Sequence, residues 1–103
     1  NSGLNVIEEQ IVTYFDAQGK PRNASAAGGF YRQLIGKRGN EYTVQDFYSD
    51  NSRKRTAPYV VPRNELMNFR AHPADGTLNI YAYNGNLMQQ QTYRNNRLVD
   101  AKY

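Results

Sequence analysis

The sequence predicts an all-β fold. The expected form is an antiparallel meander of about seven to eight short strands in stacked hairpins, with at most one short helical turn. Three observations carry this expectation. Turn-forming pairs recur about 9 to 13 residues apart: Gln18-Gly19, Gly28-Gly29, Gly39-Asn40, Asp50-Asn51, Arg63-Asn64, Asp75-Gly76, Asn84-Gly85 and Asn95-Asn96. Gly, Asn and Asp serve there because they tolerate positive φ, and such spacing suits short strands. The segments between them are rich in Tyr, Phe, Val, Ile and Thr, the residues that favour a pleated surface. No segment sustains a helical period.

Taken in order, residues 6–15 form the first strand. Residues 30–35 and 41–48 form a hairpin about Gly36-Lys37-Arg38-Gly39. Residues 58–61 make a short strand between Pro58 and Pro62, which places it at an edge or beside a bulge. Residues 65–70 read equally as a strand or as one helical turn capped by Asn64. Residues 77–83, 87–93 and 98–103 make a three-stranded meander. A loop at Asn84-Gly85-Asn86 would set Tyr83 opposite Leu87 and Tyr81 opposite Gln89. Leu78, Ile80, Ala82 and Met88 would then share the other face. Ser25-Ala26-Ala27, between glycines, reads as a flexible connection.

With 103 residues the chain suffices for one domain and hardly more. Tyrosine carries much of the apolar mass, with 9 copies beside 4 Phe and no Trp. A tyrosine can bury its ring and keep its hydroxyl wet, which suits thin sheets with partly hydrated faces. The net charge of +4 mildly favours an acidic protein, a nucleic acid or an anionic surface as partner. It falls short of the balance of a dedicated nucleic-acid binder. Without cysteine there is neither a disulfide framework nor a thiolate metal site. No apolar run approaches the length of a membrane span. The start at Asn1-Ser2-Gly3 suits a mature chain after signal cleavage or a trimmed one.

An imperfect repeat overlies the turn rhythm. Residues 14–20, 47–52, 81–87 and 93–98 share one plan: an aromatic residue ends a strand, a turn pair follows, and a basic or apolar residue starts the return. Tyr81-Ala82-Tyr83-Asn84-Gly85-Asn86-Leu87 and Tyr93-Arg94-Asn95-Asn96-Arg97-Leu98 show it best. These residues resemble the bacterial variant of the MORN repeat, and the segments at 30–35 and 41–51 look like those that often precede such repeats. The resemblance covers about half the chain. At Asp50-Asn51 it departs from Asn-Gly, and residues 56–73 carry no clear repeat. It implies a single β-repeat domain over residues 1–103, with stacked hairpins. It also implies interaction rather than catalysis, an antitoxin-like or immunity role, and an exported bacterial location. The expected compartment is periplasmic or extracellular, the alternative cytoplasmic.

Catalytic patterns are sparse. His72 is the only histidine, in the loop sequence Arg70-Ala71-His72-Pro73, and has no Cys or second His to complete a zinc set. Glu8 and Glu9 are adjacent, so on a strand they point to opposite faces. Asp46, Asp50, Asp75 and Asp100 are scattered, and nothing selects a working pair. The glycines show neither a phosphate-binding loop nor a dinucleotide fingerprint. Asn23-Ala24-Ser25 matches a glycosylation acceptor, a triplet common by chance. No enzyme, cofactor or metal is expected.

Binding residues are sought in the basic, aromatic half. The cluster Arg53-Lys54-Arg55, with Lys37, Arg38, Arg63 and Arg70, could form a positive patch. The candidate partner-binding residues are Tyr31, Arg32, Tyr42, Tyr48, Arg53, Lys54, Arg55 and Tyr59. Such aromatics can anchor a protein partner, for example a toxin. The alternative is nucleic-acid or polysaccharide binding through the tyrosine and arginine surface. In the bland reading the rings are core and the charges a solvated rim. A free sheet edge also makes a homodimer plausible.

Overall fold

The computed structural model describes the backbone of residues 5–103 and the side chains of residues 10–103. Asn1-Ser2-Gly3 and the side chains of Glu8 and Glu9 lie outside the described set. The fold is all-β, with strands β1 (Asn5–Phe15), β2 (Pro21–Arg22), β3 (Phe30–Arg38), β4 (Glu41–Tyr48), β5 (Tyr59–Pro62), β6 (Gly76–Tyr81), β7 (Leu87–Arg94) and β8 (Arg97–Lys102). They form two antiparallel sheets, ordered β2-β1-β3-β4-β5 and β6-β7-β8. The proline-bounded strand β5 lies at an edge, where Pro62 withdraws no ladder donor from a neighbour.

Alternation writes the first sheet. In β3, Phe30, Arg32, Leu34 and Gly36 are buried while Tyr31, Gln33 and Ile35 are half-buried. The inner face meets β6–β8 over one core made of Leu34, Val44, Tyr59 and Val61 on one side and Ala71, Leu78, Ile80 and Tyr93 on the other. Residues 54–57 join the sheets through their backbone. Arg55 and Thr56 N–H groups donate to Asp46 O, Ala57 N–H donates to Asn79 O, and Arg55 O accepts from Tyr81 N–H.

Several boundaries differ from the sequence expectation. Gly36, Lys37 and Arg38 stay in β3, because Gly39, at φ +58°, makes a tighter turn than the four-residue loop expected. The helical turn is a 3-10 turn at Arg63–Glu65 preceded by Pro62, and Asn64 lies inside it rather than capping it. In the β6–β7 hairpin Tyr81 stands opposite Leu87 and Ile80 opposite Gln89, with Met88 as a bulge. Ala82 N–H donates to Asn86 O and closes the loop one residue earlier on each side than expected. The bulge turns Met88 out. Met88, Tyr83 and Leu87 are each about half exposed (49%, 52% and 55%), so Tyr83 and Leu87 do not make core across the loop. Asn95 and Asn96, at φ +50° and +66°, form the two-residue β7–β8 turn whose twist matches the strands.

Candidate functional site

Three aromatic pairs, Tyr14-Phe15, Phe30-Tyr31 and Phe47-Tyr48, sit side by side in register. Tyr14 faces Tyr31, which faces Phe47, and Phe15 faces Phe30, which faces Tyr48. Directly opposed residues share a face, so one ring of each pair goes to each side of the sheet. On the outer face the rings run as a row. Tyr14 and Tyr31 centroids are 6.0 Å apart and tilted, and Tyr31 and Phe47 are stacked at 5.4 Å. Phe47 is bridged to Lys54, whose Nζ lies 4.4 Å from the centre of the Tyr81 ring. The row thus reaches from the first sheet towards the second. All four rings are half-buried.

The neighbouring loop is fixed to the β6–β7 hairpin. Arg53 donates to Asn84 O at 3.1 Å, Asn51 Nδ2 donates to Tyr83 O at 3.3 Å, and Tyr48 Oη donates to Tyr81 O at 2.7 Å. These bonds tie the loop before Lys54 to the β6–β7 hairpin.

On the inner face the next register line pairs Thr13, Arg32 and Asp46. Arg32 is fully buried. Its Nε and one terminal nitrogen donate to the two Asp46 oxygens at 2.9 and 3.2 Å, and the other donates to Leu66 O and Asn68 O at 2.8 Å each. Its guanidinium lies 4.9 Å from the Phe15 ring centre. Burial alone would lower its pKa, but the Asp46 carboxylate reverses this and holds it above the ordinary arginine value. Tyr59 Oη also donates to Asp46 at 3.0 Å. Burial, then the Asp46 charge, pushes the Tyr59 phenol well above the ordinary tyrosine value.

The structure therefore divides the eight candidates. Tyr31 and Lys54 come together at the outer row, while the Arg53 side chain reaches the β6–β7 loop at Asn84 O. Arg32 and Tyr59 belong to the interior, at 0% and 4% exposure, because Asp46 supplies the partner that lets an arginine be buried. They are corrected from surface residues to core residues. Tyr48 is on the inner line with its hydroxyl occupied. Tyr42 packs against the core with Lys37 Nζ 5.4 Å from its ring centre. Arg55 turns into the cleft between the sheets. The expected single basic patch is not formed, since Lys37 stands opposite Tyr42 at the start of β4 and Lys54 opposite Phe47 at its end. Sequence reasoning missed Tyr14 and Tyr81, and Phe47 stood among the aromatics of the basic half without being made a candidate. The signal was present in the three aromatic pairs, each at the same end of the sheet, but it needed the strand register.

His72 lies flat on Tyr93, with centroids 3.9 Å apart and planes 8° apart, and its Nδ1 is 2.9 Å from Pro73 O. Among the described residues no group of three or more His, Asp and Glu stands close enough to hold a metal. Among the described residues no helix is long and apolar enough to cross a membrane. No family model matches the chain, and no curated protein or solved structure matches it.

Proposed function

We propose that this protein is a non-catalytic interaction module that holds a protein partner on the outer face of its first sheet. The observation that carries the reading is the aromatic row Tyr14–Tyr31–Phe47, which ends at Lys54 and is partly exposed along its length. Rigid aromatics with two χ angles give large contact area at low entropic cost, and with a neighbouring cation they are the usual anchors of an interface. The most specific form, an immunity or antitoxin-like module whose partner is a toxin in an exported compartment, rests on the resemblance of residues 81–98 to MORN-variant repeats.

The test is affinity capture from extracts of the source cells with the wild-type chain and with Tyr31→Ala. A partner held by the wild type should be lost on the order of 30-fold in the variant, as for an anchor residue. Equal retention by Tyr31→Ala removes the outer row from the interface. If the partner is a toxin, expression of the chain protects cells from it and the variant does not.

The row of rings on adjacent strands favours one second reading, since aromatic side chains are platforms on which bases can stack. A single-stranded oligonucleotide whose affinity falls steeply with salt would support it, and salt-insensitive or absent binding of both oligonucleotide and polysaccharide would end it.

A further inference from the structure

The cleft between the two sheets is independent of the outer row and has its own chemistry. It encloses about 330 Å³, the lower end of the range for small-molecule sites. Its floor is Asp46 with Thr56 and Tyr59, but the Asp46 oxygens are already taken by Arg32 and Tyr59. That carboxylate offers nothing further to a ligand. The wall is Arg55. Its guanidinium is stacked 4.3 Å from the Phe30 ring centre, and its nearest Asp46 oxygen is 3.9 Å away, too far for a hydrogen bond. It makes no side-chain hydrogen bond to a described residue, so its donors remain for a ligand. Arg32 and Arg55 against one Asp46 leave the site with a positive charge, and Arg70 adds another at the rim. Across the cleft, Gln91 Oε1 accepts from Tyr93 Oη at 2.7 Å, which leaves the Gln91 amide N–H groups to donate. Leu78, Ile80 and Phe69 supply apolar surface beside these donors.

We infer that the cleft binds a small organic carboxylate: its anionic group meets Arg55 and Gln91, and its apolar body lies against Leu78, Ile80 and Phe69. The stacking on Phe30 fixes the plane of the Arg55 fork, and a planar fork is what a carboxylate accepts from in bidentate fashion.

The experiment is a titration of the isotope-labelled full chain followed by nuclear magnetic resonance, with benzoate as probe and benzamide as its uncharged counterpart. Benzoate should give saturable shifts in the side-chain amides of Gln89 and Gln91, and benzamide should bind at least about tenfold more weakly, the scale of a charge-assisted hydrogen bond. Arg55→Gln should weaken benzoate to a similar extent while the backbone spectrum of both sheets is retained. Should that variant fail to fold, Arg70→Gln alters only an exposed side chain and should weaken benzoate about threefold through the lost charge. Shifts that do not saturate, equal affinity for benzamide, or unchanged benzoate affinity in the folded variants would each overturn the assignment.

Discussion

Arg32 and Asp46 show how a polar sequence makes an interior. A buried guanidinium is costly unless it is paired and hydrogen-bonded, and here the carboxylate and two backbone carbonyls take four of its N–H donors beside the Phe15 ring. Asp46→Ala leaves the Arg32 charge uncompensated and should destabilise by about 3–5 kcal/mol. Chemical denaturation would check this, and a loss under about 1 kcal/mol would show that the pair is dispensable. Tyr59 makes the same network pH-sensitive. Its folded-state pKa is raised, so the folded chain keeps the proton where the unfolded chain begins to lose it. The associated stability is therefore complete below the unfolded value of about 10 and falls as pH rises above it. Tyr93, raised by burial, adds in the same direction. Denaturation midpoints should fall between pH 9 and 11, and the slope should flatten in Tyr59→Phe.

At the scale of elements, the loop entering β3 depends on a close approach. A Cβ on Gly29 would stand 1.9 Å from the Phe15 carbonyl oxygen, and Gly29 also accepts from Ser49 N–H. Gly29→Ala must separate β1 from this loop, so a loss of about 3 kcal/mol or more in denaturation is expected. Gly39→Ala serves as comparison, since open space surrounds its position and only its φ of +58° opposes the change. It should cost about 1 kcal/mol. The edge strand β8 carries Arg97, Asp100 and Lys102 among six residues beside the half-exposed Leu98 and Val99. Charges of this kind oppose strand pairing between copies, which weighs against a homodimer built on this edge. Replacing Arg97 and Lys102 with Thr should raise self-association in sedimentation at high concentration. An unchanged profile would mean that the charges do not guard the edge.

Over the whole molecule, one shared core joins the two sheets. Ile80 belongs to β6, is bridged to Thr56, and packs in the core shared with Leu34, Val44 and Val61. Ile80→Ala should cost about 2–5 kcal/mol and lower amide-exchange protection in β3 and β4 as well as in β6–β8. Loss confined to β6–β8 would show that the sheets open separately.

The sequence by itself determined the all-β class and the approximate places of seven strands, but it did not show β2 and left β5 at an edge or beside a bulge. The class and those places follow from local rules: β-branched and aromatic segments, glycine and asparagine at positive φ, and proline without a donor. Near Asn64 the residues read equally as a strand or as one helical turn, and the structure makes a 3-10 turn at Arg63–Glu65. Only the tertiary structure decided which aromatics face outward and which arginine is buried. Tyr31 and Phe30 are chemically alike and adjacent, and Arg32 differs from Arg53 by nothing local. Their fates depend on the register of β1, β3 and β4, where one bulge moves a side chain to the other face, and on Asp46, fourteen residues from Arg32, arriving opposite it. A long-range partner cannot be read from either residue's neighbours, and it is that partner that makes burial of the charge possible.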